Sequence, residues 1–158
     1  MKKTSSMEDL DSLWVMLHQA SDAIFKVREK ELTKYSISTT KASVLFTIES
    51  IGHPTTPSEI ARHLLRESHS ASTILSRMEK QGLVRKTKDL ERKNMVRVSL
   101  TDKGQQVYHQ AVKRQSIREI MCCLSDEERQ QLLLCLKKVR NRALKKLGLE
   151  DRMHLLGY

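Results

Sequence analysis

The sequence predicts a mostly helical α+β chain with one small β-hairpin, and three observations carry that expectation. Apolar residues recur at three- and four-residue steps over most of the 158 positions. That spacing gives way once, between residues 83 and 100, to two short strand-like runs around a charged tip. Long amphipathic stripes occupy both ends of the chain and flank a compact, basic middle.

Taken in order, the first helix runs from about Met7 to Thr33. Leu10, Leu13, Trp14, Leu17, Ala20, Ile24 and Val27 mark one face, no glycine or proline interrupts it, and Ser6 with Asp9 offers a start. Residues 34–38 break the pattern. Ser38 or Thr39 then caps a second helix, with Ala42, Leu45, Phe46 and Ile48 facing inward and Gly52 closing it. His53, Pro54 and Thr55 form a connector, either plain or with one short strand lying beside the later hairpin.

Thr56-Pro57-Ser58-Glu59 is a strong helix start. Thr56 suits the N-cap, Pro57 needs no N–H at the first helical position, and Glu59 completes a capping box. Ile60, Ala61, Leu64 and Leu65 supply the apolar side of this short helix. Arg66-Glu67-Ser68 is a polar break, after which Ala71, Ile74, Leu75 and Met78 face inward along a helix over about residues 68–81, ended by Gly82 at C′. Two short helices joined by a tight turn form a helix-turn-helix. The runs at residues 83–88 and 95–100 follow at once, and a hairpin in that place is a wing, so the middle of the chain reads as a winged helix-turn-helix.

Beyond the wing, Thr101 caps a helix expected to run unbroken to about Cys123, with Val107, Ala111, Ile117, Ile120 and Met121 on its apolar side. Ser125-Asp126-Glu127-Glu128 is a second capping box. It opens a last helix carrying Leu132, Leu133, Leu136, Val139, Ala143, Leu144 and Leu147, closed by Gly148, and the tail from residue 149 to 158 is mixed. The length suits one compact domain, divided into a DNA-binding part over residues 36–100 and a helical dimerisation region over residues 1–35 and 101–158.

These residues resemble the MarR family of bacterial and archaeal transcription regulators. The resemblance rests on Glu59-Ile60-Ala61, on the run from Arg77 through Gly82 to Val84, and on Val98-Ser99-Leu100-Thr101-Asp102-Lys103-Gly104 after the wing. It covers nearly the whole chain. Two departures stand out: Leu65 occupies a place where a turn glycine is frequent, and Arg92, Lys93 and Asn94 replace the usual Asp-Arg-Arg at the wing tip. The resemblance implies a homodimeric repressor of a pseudo-palindromic operator. It also implies modulation by a small effector, often an aromatic acid, held between the dimerisation helices and the winged part. Trp14, His18 and Phe46 are candidate lining residues that read equally as core.

The chemistry expected of the middle follows from its side chains. With the apolar face turned inward, the second helix of the pair presents Ser68, Ser70, Ser72, Thr73, Ser76 and Arg77, together with Lys80, and no acidic residue precedes Glu79. Short hydroxyls at the start of a helix in the major groove reach base edges, and Arg77 grips phosphate. Arg85, Lys86 and Lys88 on the strand add phosphate contacts that position without reading sequence. At the wing tip, Arg92 and Lys93 are alternatives for entry into the minor groove, Asn94 can hydrogen-bond there, and Arg97 is expected on the strand's solvent side.

Composition agrees and excludes other classes. Lysine and arginine number 29 against 19 acidic residues, a formal net charge of +10, which favours a polyanionic partner. No segment approaches the ~18 apolar residues of a membrane span, and no signal peptide follows the basic start, so a cytoplasmic protein is expected. Three cysteines fit a reducing compartment better than a disulfide framework. Cys122, Cys123 and Cys135 are expected as buried small apolar groups, with a redox switch as the sharper alternative. No phosphate loop, nucleophile motif or paired-histidine spacing is present, so no enzyme, cofactor or metal site is expected; His18 and His109 are the nearest to a metal pair. The rival reading is a winged-helix module for protein assembly that binds nucleic acid only non-specifically.

Overall fold

The local signals become elements wherever a cap or a left-handed residue ends them. In a computed structural model that describes residues 7–52, 54–89 and 95–152, helix α1 spans Met7–Thr33 and α2 spans Thr39–Ile51. Between them Ser36 turns the chain at φ 56° and Ile37 donates its N–H to Leu32. Ser38 caps α2 through Lys41 N, and Gly52 closes it at φ 74°. Thr55 and Val98 exchange N–H···O bonds at 3.0 and 2.6 Å, which sets one residue of strand beside the hairpin.

Helix α3 (Pro57–His63) carries the full capping box, Thr56 with Glu59. Leu65, expected on its apolar stripe, instead leaves the helix at φ 52° and is 44% exposed. Leucine here performs a turn that glycine makes without a Cβ penalty. Helix α4 (Ser68–Lys80) follows, and Gly82 ends it at φ 69°. Strands β1 (Val84–Lys88) and β2 (Val96–Leu100) pair antiparallel, with Val84 opposite Leu100 and Lys88 opposite Val96.

One core unites these pieces. Val44, Leu45 and Ile48 of α2 meet Ile60 of α3, Leu75 and Met78 of α4, and Leu83, Val84 and Val98 of the hairpin, all buried. Each such side chain stabilises the fold by roughly 1.5–3 kcal/mol relative to exposure. Leu32 of α1 and Ala111 close the cluster from the other side.

The helix after the wing is not continuous, contrary to expectation. α5 spans Asp102–Ala111 and α6 spans Gln115–Met121, separated by Arg114 at φ 46°. The break is held from α1. Arg28 donates to the Ala111 carbonyl at 2.5 Å, closing α5, while Glu31 accepts from Gln115 N at 3.0 Å and from the Ser116 hydroxyl, opening α6. Arg28 and Glu31 also pair with each other at 2.7 Å, their side chains only 11% and 10% exposed. Burial acts to raise the Glu31 carboxyl pKa. Ser116, Arg28 and the Gln115 N–H outweigh it and hold the group below the ordinary carboxylate value.

The start of α5 is fastened to the end of α4. Thr101 donates through Oγ1 to Gly82 O at 2.6 Å and through N to Leu83 O at 3.2 Å, and Lys103 Nζ donates to Gln81 O at 2.9 Å. Gly104 lies so close that a Cβ on it would sit 2.0 Å from Leu83 O.

Helix α7 (Asp126–Lys146) opens on the Ser125–Glu128 capping box, and Gly148 follows it at φ 66°. A 3-10 turn, Glu150–Arg152, comes next. Of the expected apolar residues of α7, Leu144 alone is buried; Leu132, Leu133, Leu136, Val139 and Leu147 are exposed. On α1, Leu10, Leu13, Trp14 and Val27 are exposed as well. The same lack of cover corrects the cysteines: Cys122, Cys123 and Cys135 are exposed, because they sit on the turn before α7 and on a stretch of that helix that none of the described residues covers. Ser6, His53 and the end of the tail lie outside the described residues. No helix among the described residues is long and apolar enough to cross a membrane.

Candidate nucleic-acid interface

Helix α4 owes its orientation to three buried side chains on one side. Ala71, Leu75 and Met78 are fully enclosed and Ile74 half-buried, so the opposite side must face outward. On it stand Ser68, Ser72, Thr73, Ser76, Arg77 and Lys80, all exposed. Ser70 differs, being half-buried, with its hydroxyl 3.4 Å from His69 Nε2. Glu67, at the N-cap, makes no side-chain cap, which leaves the first-turn N–H groups of α4 without that partner.

The hydroxyls are already oriented. Thr73 Oγ1 donates to His69 O at 3.0 Å and Ser76 Oγ to Ser72 O at 3.0 Å. Each hydroxyl has thereby spent its proton within the helix and is left to act as an acceptor. Ser76 also receives Lys86 Nζ at 2.8 Å, and the same ammonium lies 3.4 Å from Glu79. Lys86 is thus committed to α4 rather than standing free on the strand, and it neutralises the acidic residue nearest the exposed side. Arg85 and Lys88 of β1 are exposed.

At the root of the wing, Arg97 does not simply face solvent. Its Nε donates to Asp89 Oδ2 at 2.8 Å, tying the two strands where the tip begins. Asp89 N also donates to Met95 O at 2.9 Å. Arg92, Lys93 and Asn94, the expected tip contacts, lie outside the described residues.

A cavity of about 90 Å³ lies between α1, α2 and α5, lined by Arg28, Thr39, Phe46, Tyr108 and Arg114 among others. The Arg114 guanidinium sits 4.3 Å above the Phe46 ring, and Thr39 Oγ1 is buried without a hydrogen-bond partner. Of the three expected lining residues, Phe46 is present. Trp14 and His18 are on the exposed side of α1, their rings 6.1 Å apart, with His18 paired to Asp22 at 3.3 Å. His109 packs against Tyr108, 5.4 Å between rings. Among the described residues no group of three or more His, Cys, Asp or Glu side chains is arranged to hold a metal ion.

A sequence profile of the MarR family matches residues 35–93, the stretch that holds α2, the helix pair and the start of the wing. The transcriptional regulator PecS of Dickeya dadantii (strain 3937) is 27% identical over 127 residues, which cover 78% of this chain and 76% of that protein. Structures of the organohalide-sensing transcriptional regulator RdhR-CbdbA1625 are more alike. Its ligand-free form superposes with a TM-score of 0.82 at 34% identity, covering 98% of this chain and 90% of that one. Its 2,4-dichlorophenol-bound form gives 0.79 at 37%, over 90% and 84%. A cysteine-to-serine mutant of Escherichia coli MarR complexed with operator DNA shares the fold, with a TM-score of 0.76 at 22% identity over 86% of this chain and 99% of that one. These likenesses set the chain among transcriptional regulators and not among enzymes. The chain belongs to the MarR family.

Proposed function

We propose that two copies of this chain form a repressor that binds a pseudo-palindromic operator and responds to a small ligand. The outer side of α4 carries the reading: a row of exposed hydroxyls, flanked by Arg77 and Lys80, with the nearby Glu79 paired to Lys86. That surface suits base edges in a major groove bordered by phosphate. In this reading Ser68, Ser72, Thr73 and Ser76 approach the bases, Ser70 supports the helix start, and Arg77 holds the backbone. Arg92, Lys93 and Asn94 reach the adjacent minor groove from the wing.

Dimerisation is supported by the uncovered apolar sides of α1 and α7, which leave Leu13, Trp14, Leu133 and Val139 more than half exposed. The regions over residues 1–35 and 101–158 then form the dimer body, around the winged part at residues 36–100. A small ligand is supported by the organohalide-sensing relative, whose structure was obtained with 2,4-dichlorophenol, and by the cavity beside Phe46. At about 90 Å³ that cavity is smaller than the usual ~300–1,000 Å³ of ligand sites. An aromatic acid would therefore have to lift Arg114 from the Phe46 ring. A cytoplasmic location is part of the same reading.

Footprinting on the DNA upstream of the chain's own gene, with unrelated DNA in excess, tests this directly. A protected, two-fold related site is expected; loss of all protection under competition would favour the protein-assembly reading. Sedimentation at micromolar concentration should give one species of twice the chain mass, and a monomer that still protects the site would refute the dimer.

A further inference from the structure

The chain's positive charge is not confined to the helix pair and wing. Residues 129–149 hold seven lysines and arginines and no acidic residue. Arg129 is engaged with Asp126 at the start of α7. Lys138, Arg142, Lys145 and Lys146 are exposed, and no ion pair involves them among the described residues. At 3.6 residues per turn these four fall within an arc of about 100°. The uncovered apolar stripe of Leu132, Leu136, Val139 and Leu147 occupies the neighbouring arc, and buried Leu144 points the other way.

A solvated helix ordinarily interleaves acids with bases at i and i+4, because such pairs stabilise it and like charges at that spacing do the reverse. Lys138, Arg142 and Lys146 are like charges at that very spacing. The helix dipole accounts for Lys145 and Lys146 in the last turn, but not for Lys138 and Arg142 further back. Among the described residues no acidic side chain pairs with this stripe, which leaves it open to an anionic partner. Its position suggests the partner. Asp151, in the 3-10 turn just past α7, pairs with Arg62 of α3 at 3.6 Å, so the chain that leaves the basic end of α7 returns to the first helix of the helix pair. That helix is the one that crosses the nucleic-acid backbone in helix-turn-helix docking.

We propose that Lys138, Arg142, Lys145 and Lys146 form a second phosphate-binding surface, which holds duplex DNA outside the segment read by α4. The proposal rests on the DNA-binding reading above. It assigns α7 a role in affinity and capture, without base recognition.

The test is the salt dependence of binding to a mixed-sequence duplex of about 40 base pairs, using the full chain. Every phosphate that is no longer neutralised lowers the log–log salt slope by about 0.9. The variant Lys138→Gln/Arg142→Gln/Lys145→Gln/Lys146→Gln should lower it by about 2–4 per chain and weaken binding tenfold or more at about 0.05 M salt. Exchanging each lysine for arginine and Arg142 for lysine should restore the wild-type slope. Circular dichroism and sedimentation of the glutamine variant should match wild type, since the four side chains lie beside, and not on, the apolar stripe that would pair two copies. An unchanged slope in the glutamine variant, where Arg77→Ala does reduce it, overturns the proposal and leaves the DNA-binding reading standing. Failure of the wild-type chain itself to bind duplex overturns both. A glutamine variant that keeps its DNA slope but loses binding to phosphatidylglycerol vesicles overturns the proposal in favour of a membrane surface.

Discussion

Gln115 donates its backbone N–H to Glu31 at 3.0 Å across 84 residues of sequence, so the carboxylate that opens α6 belongs to α1. Arg114, the residue in the N-cap position itself, makes no side-chain cap. With Arg28 closing α5 one turn earlier on the same helix, α1 holds both ends of the break between α5 and α6. Removing Glu31 strips α6 of its cap and leaves Arg28 largely buried without its partner. Glu31→Ala should therefore destabilise the chain by about 2–4 kcal/mol. The urea midpoint, compared at one fixed protein concentration because association adds to apparent stability, reads this out. A loss within error of zero would show the joint to be held by packing alone.

The same carboxylate makes stability depend on pH. Its pKa is held below the ordinary 4.5 in the folded chain, so the folded state favours the charged form. The stabilisation is complete above that ordinary value and is lost as pH falls through the lower folded value. The gap in urea midpoint between wild type and Glu31→Gln should be constant from neutral pH down to about 5 and narrow below about 4.5. A gap that widens on acidification would contradict the assignment.

Leu65 occupies the left-handed region at φ 52° and is 44% exposed, so burial offsets only part of that strain. Glycine removes a Cβ penalty of about 1–2 kcal/mol and adds unfolded-state entropy of about 0.4–1 kcal/mol. Leu65→Gly should leave the chain about 0.5–1 kcal/mol more stable, and Leu65→Val, β-branched, should lower the thermal midpoint. DNA affinity serves as the control, since a freer turn relaxes the angle between α3 and α4.

Arg77 and the α4 hydroxyls should separate by what they read. Arg77→Ala should weaken every duplex about equally and lower the salt slope by about one. Ser72→Ala or Thr73→Ala should cost on the order of 1 kcal/mol at particular base pairs and leave the slope unchanged. A base-substitution series across the footprint distinguishes the two, and uniform losses in the hydroxyl variants would remove base reading from that side of α4.

On the wing, Arg92→Ala should reduce the preference for A·T pairs flanking each half-site, because a narrow minor groove attracts arginine through its potential. Lys93→Ala identifies the alternative inserted group. If both variants keep the wild-type base profile, the wing takes no part in reading DNA.

What the sequence made legible was whatever neighbouring residues decide among themselves. Thr56 with Glu59, Ser125 with Glu128, and the glycines at 52, 82 and 148 set helix ends within one turn, and each stands where its local chemistry placed it. The break at Arg114 was not legible, because no glycine or proline marks it; it exists through side chains of α1 more than eighty residues earlier. The pairing of Lys86 with Glu79 and Ser76 escaped for the same reason, since it joins two elements through the angle of the hairpin. Arg97, placed by strand alternation on the solvent side, was drawn to Asp89 across the wing root. The exposure of Cys122, Cys123 and Cys135 is not written in their neighbours, because burial of a small apolar residue depends on a covering surface, and none of the described residues supplies one there.

The fastening of α5 to the end of α4 separates what evolution can change from what it cannot. Gly104 admits no side chain against Leu83 O, and Thr101 is committed to Gly82 and Leu83, so the junction tolerates neither insertion nor a larger residue. The hairpin leaves that junction and returns to it, with its root secured by Asp89 and Arg97. Changes of sequence or length beyond the root are then expected to leave the position of α4 unshifted. Under the DNA-binding reading proposed above, target preference can drift at the tip while the geometry of α4 is inherited unchanged.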